Sequence, residues 1–173
     1  MDHYEPFASL GLALLAGLLL GLEREQSRAA DDTGFFGGIR TFPLVALLGA
    51  LSALLTPHFG AAVLAVAGLG VVTLTGLSYW RSSGTGATGL TSEISALLTF
   101  FLGVLAASSG VIPSFATRTF VVSAVAVAAT LLLSARTELR AFTSKVSRED
   151  VLATLKFMVV AVVVLPLLPD EAL

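Results

Sequence analysis

Residues 7–25 read FASLGLALLAGLLLGLERE, an apolar run that stops abruptly at three charged residues. The hydrocarbon core of a bilayer is about 30 Å thick and takes roughly 20 mostly apolar residues per spanning helix, and this run comes close to that length. Similar runs follow at residues 42–55, 61–80, 94–108, 119–134 and 151–168. The sequence therefore predicts an all-α fold, a polytopic transmembrane bundle of five to six spanning helices.

The composition excludes most soluble classes of protein. Hydrophobic residues make up 55% of the chain and charged residues 13%, against about 25% charged residues in soluble domains. No cysteine is present, so neither a disulfide framework nor a cysteine-based metal site is available. The net charge is −2 and the basic residues form no stripe, so no nucleic-acid partner is expected. No nucleophile elbow, phosphate-binding loop or His-rich metal motif occurs, so catalysis is not expected either.

The positive charges lie on one side of the predicted bundle. Eight basic residues fall beside alternate loops, which share one side of the membrane: Arg24, Arg28, Arg40, Arg81, Arg136, Arg140, Lys145 and Arg148. Only Arg118 falls beside a loop on the opposite side. The positive-inside rule then places these loops in the cytoplasm and the N-terminus outside. The acidic start, MDHYE, lacks the basic region of a signal peptide, so the first helix is expected to be retained.

The chain is expected to divide into two parts. Residues 1–135 form the main transmembrane domain. Residues 136–173 form a cytoplasmic interfacial segment, over 138–147, and a further transmembrane helix that can start a second membrane domain. Within the first part, the glycine-rich stretch 81–89 is expected to be a loop.

Small residues interrupt the apolar runs at Gly17 and Gly21 in the first helix and at Gly68 and Gly70 in the third. Such residues let the backbones of membrane helices approach closely. Two interpretations stay open: a dimer seam or moving interface, and ordinary packing inside one bundle.

The polar residues of the runs converge on the cytoplasmic ends of three helices, and they form the candidate ion or solute site. Its members are Glu23, Arg24 and Glu25 at the end of the first helix, Arg40 and Thr41 at the start of the second, and Thr91 and Glu93 at the start of the fourth. Ionisable groups at membrane depth are costly and are therefore functional candidates. Each residue also has a structural interpretation: a solvated helix end, a headgroup contact, or a carboxylate that stabilises a helix N-terminus.

The residue types limit what such a site can bind. Carboxylates at Glu23 and Glu93 suit a hydrated divalent cation such as Mg²⁺, which keeps several waters and needs only one or two carboxylates. Arg40 could instead pair with either carboxylate, or bind an anionic solute. His3 and His58 have no second ligand at helical spacing and are interpreted as surface histidines.

Four motifs occur in an order that resembles the MgtC/SapB family of bacterial membrane proteins. They are GLLLGLERE at residues 17–25, GGIRTFPLV at 37–45, GLG at 68–70 and GLTSE at 89–93. The resemblance covers roughly residues 8–135. The tail of the chain resembles the opening of a second hydrophobic domain in the longer members of that family, which would make this chain part of a longer branch.

The resemblance implies a small helical bundle in the bacterial inner membrane, an association with magnesium limitation and virulence, and regulation of other membrane proteins. It also implies that Glu23, Arg24, Glu25, Arg40 and Thr41 are characteristic polar positions. Two residues depart from the family pattern. Phe42 stands where many members carry His, and Glu93 adds a carboxylate that the short members lack, which favours a transport function.

The leading hypothesis is therefore an inner-membrane protein that binds or transports a small ion or solute, with magnesium the first candidate, as a dimer or with a second membrane domain. The alternative is a non-transporting regulator that binds other membrane proteins through its helix faces. A third is a half-bundle that only supports a further domain.

Overall fold

The structure is a computed structural model that describes residues 4–31, 37–83, 90–135, 138 and 148–164. Within these ranges all regular structure is helical, so the predicted all-α fold is confirmed. Contacts divide the chain after Ser134 into one unit of residues 1–134 and a second of residues 135–173.

The described residues of the first unit form five helices. They are α1 (Glu5–Asp31), α2 (Thr41–Phe59), α3 (Ala62–Ser83), α4 (Thr91–Ala107) and α5 (Phe115–Ser134). Four of them, all but α4, are long and apolar enough to cross a membrane, as judged by length and composition. Helix α4 is apolar but has 17 residues, which gives it a length of about 25 Å.

Two helix ends differ from or refine the expected boundaries. Helix α3 continues through Ser83, so the loop expected over residues 81–89 was wrong for its first three residues, and residues 84–89 lie outside the described ranges. Helix α2 stops at Gly60, whose φ of 82° is accessible mainly to glycine and whose N–H donates to the carbonyl of Thr56. This tight stop lets α3 begin two residues later and pack back against α2.

The second unit contains helix α6 (Arg148–Val159), which continues as a π-helix over Val160–Val164. This matches the start of the sixth apolar run, but residues 165–168 of that run lie outside the described part of the chain. The interfacial segment expected over residues 138–147 also lies outside it, except for Glu138.

The core of the first unit lies where α1, α2 and α4 pack against one another, with α5 against α1 and α4, and α3 against α2 and α4. Its fully buried side chains are mostly small, as Ala13, Ala46, Ala50 and Ala96 show. Small side chains bring helix axes close together, which is how helices associate in lipid, where apolar burial gives no net driving force.

Glycines form the two closest helix contacts. At the crossing of α2 and α4, a Cβ on Gly49 would strike the backbone of Phe100, and a Cβ on Gly103 would lie 2.8 Å from the carbonyl carbon of Ala46. Neither glycine was singled out from the sequence. Helices α1 and α2 meet in the same way at Gly17, where a Cβ would lie 2.7 Å from the Cα of Pro43.

The other glycines expected in packing lie in looser surroundings. A Cβ on Gly21 would approach the Cα of Ile39 at 3.1 Å, whereas one on Gly68 would only touch the ring of Phe100 at 3.5 Å. At Gly70 a Cβ would meet nothing within 4 Å. Gly70 is therefore not a close contact within the described residues.

Replacing Gly103 by Ala should destabilise the protein, because the new methyl group collides with the α2 backbone, which cannot yield as a side chain can. Overpacking of this kind costs about 1–3 kcal/mol. Gly70→Ala is the matched control and should melt at or slightly above the wild-type temperature. Thermal unfolding in detergent measures both, and equal effects of the two variants would contradict the packing described.

Candidate functional site

One cavity fixes which helix ends lie together. It is lined by Glu5 at the start of α1, Leu54 near the end of α2, Ala107 at the end of α4 and Arg118 at the start of α5. We call this the cavity end of the bundle. The opposite termini of α1, α2 and α4 must then lie together at the other end, which we call the Glu93 end.

The Glu93 end contains all seven residues of the candidate ion or solute site predicted from the sequence. They are Glu23, Arg24 and Glu25 on α1, Arg40 and Thr41 at the start of α2, and Thr91 and Glu93 on α4. Glu93 and Ala107 are 14 residues apart on α4, so the two ends are separated by about 20 Å along this helix.

Glu23 and Arg24 form a buried ion pair with each other. The Arg24 Nε lies 2.5 Å from Glu23 Oε2 and an Nη2 to Oε1 hydrogen bond of 2.7 Å completes a bidentate contact. Ser27 donates a further hydrogen bond to Glu23 Oε1 at 2.8 Å. The two residues are 5% and 3% exposed. Arg24 therefore already balances the charge of Glu23. The Glu23 carboxylate also accepts a hydrogen bond from the hydroxyl group of Ser27.

Glu25 links α1 to the turn before α2 through a hydrogen bond. Its Oε2 accepts a hydrogen bond from the N–H of Ile39 at 3.4 Å. A Cβ on Gly38 would overlap the Oε2 of Glu25, which is the far end of a flexible side chain and could move aside. Glu25 thus has a local structural role at the Glu93 end.

Arg40, Thr41 and Thr91 are less enclosed. Arg40 and Thr91 are exposed and Thr41 is half-buried. Arg40 occupies the position before the first residue of α2 but makes no side-chain cap. No hydrogen bond or ion pair joins it to Glu23 or Glu93, all three of which are described residues. The structure brings Arg40 to the expected end of the bundle but does not pair it with either carboxylate.

Glu93 is the polar group at this end whose environment is unusual. It is 8% exposed, and its Oε2 is buried with no hydrogen-bond partner among the described residues. Its position in the first turn of α4 places the carboxylate at the positive end of the helix dipole, which stabilises such a charge by about 0.3–1 kcal/mol. Buried carboxylate oxygens are nearly always hydrogen-bonded, so this one calls for an explanation.

Three buried hydroxyl groups accompany Glu93 on α4: those of Ser92, Ser95 and Thr99. Ser95 donates to the carbonyl of Ser92 at 2.8 Å, and Thr99 donates to the carbonyl of Ser95 at 2.7 Å. The hydroxyl protons of Ser95 and Thr99 are thus used within the helix, while their oxygen lone pairs stay available as acceptors. Ser95 and Thr99 were not predicted from the sequence.

The described residues contain no group of three or more His, Cys, Asp or Glu side chains that could hold a metal ion. A cation at Glu93 would have to use one carboxylate, hydroxyl or carbonyl oxygens, and water.

The two histidines are not part of the Glu93 end. His58 is exposed in the last turn of α2, at the cavity end, and His3 lies outside the described ranges. The ion pair at the cavity end, between Glu5 and Arg118, was not predicted from the sequence. These two residues are 113 positions apart in the chain, so no local pattern could connect them.

Comparison with known proteins identifies the family. The model of the MgtC family matches residues 10–140, which is most of the chain, and the chain therefore belongs to that family. The match includes the whole Glu93 end but does not extend over the C-terminal segment, so the expected longer branch with a second domain has no support. No curated protein and no solved structure matches the chain.

Removing one partner of the buried pair should be far more harmful than removing an exposed arginine. We expect Arg24→Gln to destabilise the protein by about 3–5 kcal/mol, because it leaves the Glu23 carboxylate buried without its counter-charge. The double variant Glu23→Gln, Arg24→Gln should regain much of this loss. Arg40→Gln is the control and should leave the melting temperature unchanged. Equal destabilisation by Arg24→Gln and Arg40→Gln in detergent melts would refute the pairing.

Proposed function

We propose that this member of the MgtC family is a multi-pass inner-membrane protein that binds and transports a small cation through Glu93. The observation that carries the proposal is the buried Oε2 of Glu93, which has no hydrogen-bond partner among the described residues. A buried carboxylate oxygen in that state has an unfilled acceptor position, and a cation can occupy it.

The neighbouring charges support a cation rather than an anion at this position. Arg24 is engaged with Glu23, and Arg40 is exposed and makes no contact with Glu93. Neither Arg24 nor Arg40, the two arginines of the candidate site, is therefore paired with the Glu93 carboxylate. An uncompensated carboxylate near the membrane interface attracts cations and repels anions.

The hydroxyl groups of α4 form a polar helix face beside Glu93. Ser92, Ser95 and Thr99 are buried and share one face of α4 at helical spacing, and Thr99 lies about 9 Å along the helix axis from Glu93. Beyond Thr99 the backbones of α2 and α4 meet at Gly49 and Gly103 and close the bundle. This arrangement fits a carrier in which the α2–α4 contact separates the Glu93 end from the cavity end.

Hydrated Mg²⁺ is the first candidate cation, because Mg²⁺ gives up its water reluctantly and needs only one or two carboxylates. A monovalent cation is the second, because one carboxylate supplies a single negative charge. The distribution of basic residues puts the Glu93 end in the cytoplasm and the N-terminus outside, by the positive-inside rule. We also expect the protein to form a homodimer.

One observation favours the alternative, a regulator that binds other membrane proteins. Gly70 and Gly76 on α3 are exposed, and a Cβ on either would meet nothing within 4 Å. Small residues on a lipid-facing helix allow close approach of a partner helix. A partner that co-purifies with the wild type but not with a Gly70→Leu, Gly76→Leu variant, together with no cation binding, would favour this function.

We expect Glu93→Gln to lower cation affinity by about tenfold or more, since the amide keeps the size of the side chain but removes its charge. Titration of purified protein with Mg²⁺ and with Na⁺ measures affinity, and proteoliposomes loaded with a Mg²⁺-sensitive dye measure flux. Glu149→Gln, which alters an exposed carboxylate on α6, is the control. Wild-type binding and flux in Glu93→Gln would overturn the proposal.

A further inference from the structure

The cavity end contains a second polar site, which lies at the opposite end of the bundle from Glu93. The cavity has a volume of about 490 Å³, within the usual range for small-molecule sites of roughly 300–1,000 Å³. Its charged and hydroxyl groups are Glu5, Ser9, Ser109 and Arg118, and its apolar walls include Pro6, Leu54 and Pro113. Ser9 and Arg118 are both 1% exposed.

Arg118 is the anchor of this site, and its hydrogen bonds are incomplete. One Nη2 hydrogen bond goes to the carboxylate of Glu5, and Nη1 donates to the carbonyl of Ala106 at 3.4 Å. The Nε–H is buried and has no acceptor among the described residues. The guanidinium carbon lies 5.5 Å from the centre of the Phe115 ring. A guanidinium has five N–H donors in a fixed fork, so Arg118 has capacity left for a planar acceptor.

Glu5 fills only part of that capacity. A single oxygen of its carboxylate contacts a single nitrogen of Arg118. Glu5 is also 32% exposed and lies in the first turn of α1. It can therefore turn toward solvent without being left as a buried, unpaired charge, whereas Arg118 cannot.

We propose that this cavity binds a small monocarboxylate with a short apolar body, and that Glu5 occupies the guanidinium of Arg118 when that carboxylate is absent. The incoming carboxylate accepts from Nε and Nη2 together, the bidentate geometry that Glu5 does not achieve. Its apolar body packs against Leu54 and the two prolines. The site shares no residue with the proposed cation site at Glu93. A test of one site therefore does not decide the other.

An anionic group on an apolar body also describes an anionic lipid, and the experiment must separate the two sources. Acetate, butyrate and hexanoate are titrated calorimetrically into the purified chain in neutral detergent, and again in vesicles of phosphatidylcholine with or without phosphatidylglycerol. We expect hexanoate to bind about tenfold or more tightly than acetate, because the added methylenes are buried. We expect its affinity to be the same in both kinds of vesicle.

Variants at both charges test the geometry. Arg118→Lys should weaken hexanoate binding by about tenfold, since an ammonium cannot hold a carboxylate bidentately. Glu5→Gln should strengthen it by about threefold or more, because the internal competitor for the guanidinium is removed. A gain of affinity cannot arise from misfolding, so Glu5→Gln remains decisive if the Arg118 variant folds poorly. Arg40→Gln, at the other end of the bundle, should bind hexanoate as the wild type does.

Three results would overturn the proposal. One is hexanoate binding no tighter than acetate, which would remove the role of the apolar walls. Another is unchanged or weaker binding by Glu5→Gln, which would remove the competition. The last is loss of hexanoate binding in the phosphatidylglycerol vesicles alone, which would identify a lipid headgroup as the occupant of the cavity.

Discussion

The direct contact between the backbones of α2 and α4 is the interaction on which the rest of the bundle depends. In lipid, helices are held together by van der Waals packing and hydrogen bonds, because the surrounding acyl chains are as apolar as the side chains. Gly49 and Gly103 remove the side chains that would separate the two helices, and the alanines of the core do the same for α1. This contact closes the middle of the bundle, and the buried charged side chains of the described residues lie toward its two ends.

Each end resolves the cost of burying charge in the same way. A carboxylate and an arginine form a pair, Glu23 with Arg24 at one end and Glu5 with Arg118 at the other. Each end also retains one buried polar atom without a partner among the described residues, Glu93 Oε2 and Arg118 Nε. The carboxylate oxygen can accept a positively charged group, whereas the guanidinium nitrogen can donate to a hydrogen-bond acceptor. The pairs stabilise the fold, and the two remaining atoms are where ligands of opposite charge would bind.

The sequence alone predicted the helices well, because run length and turn residues depend on local composition. It also predicted which end of the bundle the charged residues occupy, since hairpin topology follows from the order of the runs. It could not predict rotation about the helix axes. The sequence therefore did not show that Arg40 and Glu93 differ in burial, although Arg40 is exposed and Glu93 is buried. For the same reason Gly70 looked like a packing residue, while Gly49 and Gly103, which lie alone in apolar runs, did not.

The central claim is that the Glu93 end and the cavity end face opposite sides of the membrane. The chain has no cysteine, so single cysteines can be introduced at the exposed positions Thr91 and Ser109, one at each end. Labelling with a membrane-impermeant maleimide should modify the Ser109→Cys variant in intact cells and the Thr91→Cys variant only after the membrane is opened. Labelling of both variants from the same side would contradict the account, because it would place the two ends on one face of the membrane.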